Sequence, residues 1–459
     1  RNGDGCNFAK TRVRTTRKPV IGDKFCIKET SLILTHLGWV AFKDIDKDLH
    51  KVATLVDGER LAYVHPIAKY EFDCVDEELY SMDSQQVKMV CTMNHKVYVQ
   101  KRDQKQFQLI EAKDIVGKRV SYKKDAVNTT PDLPNVTIGT EVFETKPFLS
   151  LLGAFISDGY YDSGEKHTRI CIAMKKQRKI DYLSQALDEL GVHYLYSHSR
   201  IIIGNTYKEL VSFFQKLSVG ASNKYLPDFV WNLSQLQCRV LLEALIQGDG
   251  SVTNSGTHLY HTSSCRLAED IQKLCLHAGW AANMKVYAGR EARHSSILKC
   301  RCITAQYDSI TLSIVKSKCT PTVNHGHIKT QSRQHESTVT YTGKVGCIEV
   351  PDTHLFYYKD SKFAPPVWTG NSSRHGQKGT VGNILAETDM PFTKDGLRPD
   401  LILNPHAIPS RMTIAHLKET LLGKVLIELG MFGDGTSFGN LDVATIAEEL
   451  QRKGFESYG

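Results

Sequence analysis

A cysteine and a serine mark the two ends of a segment that interrupts an otherwise continuous sequence pattern. Cys26 directly follows Phe25, and Ser372 directly follows Asn371. The residues up to Phe25 read on into those from Ser372 as one short, basic, glycine-punctuated loop, as if the 346 residues 26–371 were absent. A thiol can turn the preceding amide into a thioester, a hydroxyl can take over the acyl group, and an asparagine can cleave the chain through its own carbonyl. The pattern predicts a segment that excises itself.

The first of these steps needs help, because an amide is more stable than a thioester. A strained bond and a proton donor to the leaving nitrogen would supply that help. Thr92 and His95 offer a hydroxyl and an imidazole three residues apart at the start of a predicted strand. Taken alone, Cys26 is typical of a small buried hydrophobe and His95 of a structural histidine. The prediction therefore depends on the ordered set and on flanks that join without a gap.

A second group of residues predicts chemistry on phosphate. The segments 151–159 and 242–250 are both apolar helices that end in Asp-Gly, and Asp158 and Asp249 are 91 positions apart. Gly153 and Ala244 occupy equivalent places and would let the two helices pack closely. Their ends would then bring the carboxylates together as Mg²⁺ ligands for phosphodiester hydrolysis. The alternative for each segment alone is a core helix with a glycine cap.

The surrounding elements predict a multidomain chain. Residues 26–145 alternate short apolar runs with turns, which is typical of strands, whereas helical periodicity begins at 146. The β-rich pattern returns after a polar stretch, so an α/β block interrupts an all-β domain. The expected domains are an N-terminal flank 1–25, a β-domain in parts 26–145 and 337–371, an α/β domain 146–320, a linker 321–336, and a C-terminal flank 372–459.

Composition sets broad limits on partners. The 459 residues include 41% hydrophobic and 24% charged residues, and the formal net charge of +8 fits a nucleic-acid partner without requiring one. Apolar runs stay well short of 18 residues, so we expect no membrane span. The chain starts at Arg1 rather than methionine, which indicates a fragment of a longer product.

The segment 26–371 resembles an intein with an all-β Hint splicing fold. The resemblance rests on four blocks, which are residues 26–35, 91–95, 344–358 and 367–372. It implies that Thr92 and His95 activate the first bond, that His354 assists cyclisation of the asparagine, and that Cys347 tunes proton flow between the junctions. It implies no cofactor for splicing. One departure is Gly370, where the family commonly has histidine, so the last step would depend on His354.

The two apolar helices resemble the LAGLIDADG motifs of homing endonucleases, which implies an α/β fold of two pseudo-symmetric repeats. Asp158 and Asp249 would be the catalytic carboxylates and Mg²⁺ ligands, with DNA as the substrate. Lys224, within Asn223–Pro227, matches the lysine-bearing block of that family. Lys316 or Lys318 is the expected second lysine.

The flanks resemble the second-largest subunit of RNA polymerase II. The resemblance implies α/β fragments of the hybrid-binding region beside the active centre, and Lys24 and Lys378 match lysines near the RNA 3′ end. It also implies an RNA–DNA hybrid, template DNA, Mg²⁺ in the assembled enzyme, other polymerase subunits as partners, and a nuclear location.

Two alternatives remain open. The endonuclease domain would be an inactive DNA-binding relic in one, and the whole segment 26–371 would be a purely structural insertion in the other. An assay for nicking of DNA that encodes the uninterrupted junction would distinguish an active endonuclease from the inactive relic. Replacement of Cys26 or Asn371 by alanine would distinguish a self-splicing segment from a structural insertion. It would change nothing in a structural insertion.

Overall fold

The structure is a computed structural model of the chain. It describes residues 27–102, 104, 106–164, 167–288, 293–294, 302–303, 308–324, 336–351, 353–370, 383, 385–394, 396–399, 401–406, 408, 414–430 and 443–456. These residues fall into two compact units, one within Phe25–Asn371 and one within Arg1–Lys24 and Ser372–Gly459. Among them, no helix is both long enough and apolar enough to span a bilayer.

The first part of the larger unit consists almost entirely of strands. They are β1 (Ile27–Lys28), β2 (Leu32–Thr35), β3 (Gly38–Ala41), β4 (Val52–Val56), β5 (Arg60–Val64), β6 (Ala68–Asp83), β7 (Lys88–Thr92), β8 (Lys96–Lys101), β9 (Gln108–Glu111) and β10 (Val120–Tyr122), with a short helix α1 (Ala112–Ile115) before β10.

Helices and strands alternate in the middle of this unit. In chain order they are β11 (Asn135–Ile138), β12 (Glu141–Glu144), α2 (Thr145–Asp158), β13 (Gly159–Gly164), β14 (His167–Ala173), α3 (Gln177–Glu189), β15 (Leu195–Ser197), β16 (Arg200–Gly204), α4 (Lys208–Leu217), α5 (Gln235–Asp249), β17 (Gly250–Val252), β18 (His258–Thr262), α6 (Cys265–His277), β19 (Ala281–Tyr287), β20 (Arg293–His294), β21 (Cys302–Ile303) and β22 (Ser309–Val315). We call residues 128–318 the αβ-domain.

Strands return at the end of the unit as β23 (Thr322–Val323), β24 (Glu336–Glu349), β25 (Leu355–Lys359) and β26 (Val367–Gly370). Together with residues 27–127, residues 319–370 form the β-domain. β23 pairs with β10, and Val323 is buried in the core. The predicted linker 321–336 therefore begins as part of the β-domain sheet. The sequence on either side of Gly343 predicts two strands, 337–342 and 345–350. The structure has one strand instead, β24, with a register shift between Tyr341 and Gly343.

The β-domain has two connected layers. Strands β1, β24, β6 and β7 close into a small barrel, and a larger sheet runs in the order β23-β10-β8-β26-β25-β2-β4-β5. Its smaller core, which we call the junction cluster, contains Leu34, Ala53, Leu55, Tyr98, Ala126, Leu276, Leu355, Tyr357 and Trp368. The last strand, β26, lies between β25 and β8, so both ends of the segment 27–370 enter the same fold.

The αβ-domain repeats one arrangement twice. Each half has a buried helix followed by a four-stranded antiparallel sheet, in the orders β13-β14-β16-β15 and β17-β18-β22-β19. In β22 the side chains of Ile310, Leu312 and Ile314 are buried and their neighbours are not, because alternate residues of a strand point to opposite faces. α5 begins with a capping box formed by Ser234 and Gln237. The predicted mixed α/β architecture is confirmed for this part of the chain.

Among its described residues, the smaller unit has two longer helices, α7 (Ile414–Leu429) and α8 (Val443–Arg452). They pack together through Val425, Ile446 and Leu450. The apolar periodicity of this part of the sequence predicts a helix over 414–429, and α7 has those bounds.

Candidate splice-junction and carboxylate sites

The strand that begins directly after Cys26 is held on both sides. Ile27, in β1, is fully buried and is the register partner of Cys91 in β7 and of Gly346 in β24. Those partners directly precede Thr92 and Cys347. Backbone pairing therefore holds Ile27, the residue after Cys26, between the two strands that carry candidate residues.

Thr92 and His95 form a tight, buried turn between β7 and β8. The His95 amide donates to the Thr92 carbonyl oxygen at 2.9 Å, and the two side chains are 4% and 1% exposed. His95 Nε2 lies 2.8 Å from Thr369 Oγ1, and Thr369 is the register partner of Val97. His95, one of the two predicted activating residues, thus contacts the strand that leads to the second junction.

His354 lies beside the end of that strand. It directly precedes Leu355, which is the register partner of Gly370. Its φ of +55° is a left-handed conformation that is uncommon for a residue with a side chain. Backbone strain of this kind concentrates at functional sites because the surrounding fold must hold it in place.

Gly370 has no room for a side chain. A Cβ placed there would meet a methyl group of Leu109 and would lie 3.0 Å from the carbonyl oxygen of His354. Leu109, in β9, therefore occupies the space where a larger residue before the junction would extend. The glycine at this position therefore has a packing partner, Leu109, on a strand that is separated from β26 by β8.

Cys347 lies on β24, the strand that pairs with β1. Its side chain is 1% exposed, packs in a small cluster with Cys74 and Val345, and donates to the carbonyl oxygen of Ile348 at 3.5 Å. Five further predicted residues lie outside the described ones: Lys24, Cys26, Asn371, Ser372 and Lys378.

The two Asp-Gly helices pack against each other through small residues, as the sequence predicts. A Cβ on Gly153 of α2 would come within 2.5 Å of the Ala244 side chain on α5, and one on Gly248 would meet the Ser157 side chain. The contacts recur after one helical turn, which keeps both helices close down to their C-terminal ends. Those ends carry Asp158 and Asp249.

Two lysines reach this helix end from other elements. Lys179 Nζ, on α3, lies 2.9 Å from Asp158 Oδ2 and donates to the Gly248 carbonyl oxygen at 2.7 Å. Lys224 Nζ donates to the Ser157 carbonyl oxygen at 2.5 Å. Sequence reasoning identified Lys224 but missed Lys179, because nothing near Lys179 in the sequence marks it.

Lys316, one of the two candidates for the second lysine, contacts residues other than the two carboxylates. Lys316 Nζ is 3.8 Å from Glu243 Oε1 and 4.7 Å from the centre of the Trp280 ring. Lys318 has a left-handed φ of +57°. The second lysine at the carboxylates is Lys179.

Burial and neighbouring charges shift the pKa values of Asp249 and Lys224 at this site. Burial raises the pKa of Asp249 above its ordinary value, while Lys224 opposes the rise and Asp158 adds to it. Burial also lowers the pKa of Lys224, although both carboxylates favour its charged form. Beside them is an open cavity of about 260 Å³ lined by Ala221, Lys224, Asp249, His261, Thr262, Ser263 and Ser309. Its mouth gives solvent and ligands access to Asp249.

The oxygen atoms at the helix ends suit a hard divalent cation. They comprise two carboxylates and the carbonyl oxygens of Ser157 and Gly248, and Mg²⁺ prefers oxygen ligands. Both carbonyl oxygens already accept a hydrogen bond from an ammonium group, so this cluster attracts positive charge. Within the described ranges, no three His, Cys, Asp or Glu side chains gather in a metal-binding group. Cation binding here would therefore also use backbone oxygens or water.

Residues 371–459 match the family model described as RNA polymerase Rpb2, domain 6. The DNA-directed RNA polymerase II subunit RPB2 of Encephalitozoon cuniculi is 54% identical over 126 residues, which is 26% of this chain and 11% of that protein.

Two other proteins match over much longer stretches. The DNA-directed RNA polymerase subunit beta C-terminal section of Stigeoclonium helveticum is 30% identical over 406 residues, 76% of this chain and 37% of that protein. The ATP-dependent Clp protease proteolytic subunit of Chlamydomonas moewusii is 29% identical over 303 residues, 60% of this chain and 30% of that protein. The flanks contain 25 and 88 residues, so both matches extend into 26–371. The chain spans well under half the length of each relative.

Among solved structures, a variant of the homing endonuclease I-DmoI, in complex with its target DNA in the presence of Mg, has a TM-score of 0.26 and 13% identity. The similarity covers 38% of this chain and 92% of that chain.

Proposed function

Because residues 371–459 belong to domain 6 of the Rpb2 family of RNA polymerase subunits, we propose that the chain is a precursor of such a subunit. The segment 26–371 splices itself out of the precursor and carries a DNA endonuclease. The observation that carries this proposal is the convergence of both ends of the segment. β1, which follows Cys26, and β26, which precedes Asn371, both adjoin the strands that flank the Thr92–His95 turn.

The splicing reaction begins at the first junction. Cys26 Sγ attacks the carbonyl carbon of Phe25, the peptide bond between them breaks, and a thioester forms as the nitrogen takes up a proton. The buried position of Thr92 and His95 next to Cys91, the register partner of Ile27, supports a role in activating that bond. Ser372 Oγ then attacks the thioester carbon, and the Cys26 thiolate leaves.

The second junction is cleaved by the asparagine itself. The side-chain nitrogen of Asn371 attacks its own carbonyl carbon, the bond to Ser372 breaks, and the segment leaves with a terminal succinimide. The freed amine of Ser372 then attacks the ester and restores an ordinary peptide bond to Phe25. The proximity of His354 to Gly370 supports a role in the proton transfers of cyclisation. Cys347 is assigned to proton transfer between the junctions.

Two differently named relatives support a transferable segment. The matches to a polymerase subunit and to a Clp protease subunit are both too long to lie in the flanks alone. A segment that recurs beside unrelated host sequences must leave each host protein intact, and self-splicing achieves this. A purely structural insertion in a polymerase would not explain the second relative.

We assign DNA cleavage to the carboxylate site. Asp158 and Asp249 would hold Mg²⁺ with the carbonyl oxygens of Ser157 and Gly248. The bound ion would polarise the scissile phosphate and lower the pKa of the attacking water. Lys179 keeps the Asp158 carboxylate oriented, and Lys224 places positive charge where the phosphate would enter the open cavity. The substrate is DNA that encodes the uninterrupted junction.

The spliced flanks are assigned to the polymerase. Lys24 and Lys378 would contact phosphates of an RNA–DNA hybrid, and the partners would be template DNA and the other polymerase subunits in the nucleus. The assembled enzyme would use Mg²⁺ held by another subunit.

Mass spectrometry of the whole chain after expression tests splicing. We expect a peptide that joins Phe25 to Ser372 and a released product of residues 26–371. The double variant Cys26→Ala/Asn371→Ala is the negative control, and Asp249→Asn is the matched variant that should splice normally. An intact chain in place of both products would refute self-splicing.

A nicking assay distinguishes the active endonuclease from an inactive relic. Duplex DNA encoding the uninterrupted junction is incubated with protein and Mg²⁺. Two carboxylates and two lysines kept at one site favour the active form. We expect cleavage that both Asp158→Asn and Asp249→Asn abolish, and binding without cleavage by the unmodified protein would favour the relic.

A further inference from the structure

Helix α6 belongs to the αβ-domain by sequence but packs into both domains. Leu274 is fully buried in the core of the αβ-domain. Leu276, two residues later, is also fully buried but lies in the junction cluster of the β-domain, together with Trp368. The C-terminal part of α6 is therefore part of the core that supports β26.

Polar contacts hold the same part of the helix against the β-domain. The buried Lys273 donates to the carbonyl oxygen of His36 at 2.7 Å and lies 3.9 Å from the centre of the Trp231 ring. His277 Nε2 lies 2.8 Å from the Tyr63 hydroxyl oxygen. Because buried polar groups that lose their partners are costly, these contacts fix the position of α6 on the sheet.

The other end of α6 holds the loop that carries Lys224. The Ser264 hydroxyl donates to the Lys224 carbonyl oxygen at 2.7 Å, and the Leu226 amide donates to Asp270 Oδ2 at 2.9 Å. The N-terminal half of α6 thus contacts the loop that carries Lys224, and its C-terminal end contacts the junction cluster.

The junction cluster extends to the space beside Gly370, the last described residue before the second junction. Trp368 is a member, and Leu109 packs against the cluster. Leu109 is also the side chain that fills the space next to Gly370. Side chains in continuous contact therefore link Leu276 to the residue that precedes Asn371.

We propose that α6 is a positioning element for both activities, and that Leu276 positions β26 for cleavage between Asn371 and Ser372. This proposal rests on the splicing function proposed above. The endonuclease domain is then a structural part of the splicing element, and its removal leaves the junction cluster without one of its core side chains.

Leu276→Ala tests the proposal in the full-length chain, and Leu274→Ala is its matched control. The two leucines lie on one helix and are equally buried but belong to different cores. C-terminal cleavage is followed in a Cys26→Ala background. Thioester formation at the first junction is followed in an Asn371→Ala background by release with dithiothreitol.

We expect Leu276→Ala to slow C-terminal cleavage by about tenfold or more, because small displacements of reacting groups cost that much in rate. We expect thioester formation to change by less than about threefold, and Leu276→Met to restore C-terminal cleavage because it retains volume. Leu274→Ala should leave C-terminal cleavage within about threefold of its parent. At the other end, Asp270→Ala should impair DNA nicking more than splicing.

Three outcomes would overturn the proposal: unchanged C-terminal cleavage in Leu276→Ala, equal loss in Leu274→Ala, or an equal fall in both splicing steps. If the unmodified chain gives no product that joins Phe25 to Ser372, the proposed splicing function fails, and this proposal fails with it.

Discussion

The packing of Leu109 against Gly370 leads to a double-mutant prediction. Any side chain at position 370 must displace the Leu109 methyl group and press on the carbonyl oxygen of His354. Overpacking of this kind typically costs about 1–3 kcal/mol. We therefore expect Gly370→Ala to lower the free energy of unfolding by about that amount, which corresponds to about 2–4 °C in melting temperature for each kcal/mol.

Leu109→Ala removes the opposing methyl groups. Leu109 is half-buried, so its truncation alone should cost about 1–3 kcal/mol, less than a fully buried leucine. In the double variant the new Cβ enters the vacated space. The cost of the pair should then be smaller than the sum of the single costs by about 1 kcal/mol or more.

The same double-mutant cycle can be made with histidine at position 370, where inteins commonly have that residue. Gly370→His should slow C-terminal cleavage in the native background, because the imidazole displaces β26. Combined with Leu109→Ala, it should cleave faster than Gly370→His alone. Thermal melts and C-terminal cleavage rates of the variants measure both effects. Single costs that add within about 0.5 kcal/mol would refute the packing argument.

Three further predictions concern other contacts. Lys179→Met should reduce DNA nicking by about tenfold or more because it frees Asp158, whereas Lys316→Met, which removes a lysine that contacts Glu243, should not; equal losses would contradict the assignment. Thr369→Val should slow thioester formation by about tenfold because it leaves a buried His95 nitrogen without its hydroxyl partner, and Thr369→Ser should restore the rate. Burial lowers the pKa of Lys359 to about 8, so its charge destabilises the fold fully below pH 8, and the fold regains stability between pH 8 and the ordinary lysine value. Lys359→Met should therefore raise the melting temperature more at pH 7 than at pH 10, and a constant difference would exclude this explanation.

Periodicity and spacing predict much of this architecture. The buried helix α2 runs over Thr145–Asp158, where the apolar pattern places it, and the small residues Gly153 and Ala244 meet as their equivalent positions predict. Boundaries inside the β-domain are harder to predict. The glycine at 343 resembles a turn in the sequence but accompanies a register shift within one strand, β24, because strand pairing with β6 continues past it.

Contacts between distant elements could not be predicted from the sequence. Lys179 reaches Asp158 and the Gly248 carbonyl oxygen only because α3 packs near the ends of both helices. Leu109 opposes Gly370 through the order of strands in the sheet, which no local pattern specifies. β23 contains only two residues, too few for a periodic signal. In each case the determining neighbour lies far away in the chain.

The pairing of β1 with β24 also bears on the timing of synthesis. Ile27 finds its partner Gly346 only after more than three hundred intervening residues have been made. At typical rates of 5–20 residues per second, the ribosome needs roughly 15–65 seconds for that stretch. The αβ-domain, whose contacts are mostly nearer in sequence, is complete before the barrel can close. Chain growth therefore delays completion of the barrel beside the proposed first junction until shortly before Asn371 and Ser372 are synthesised.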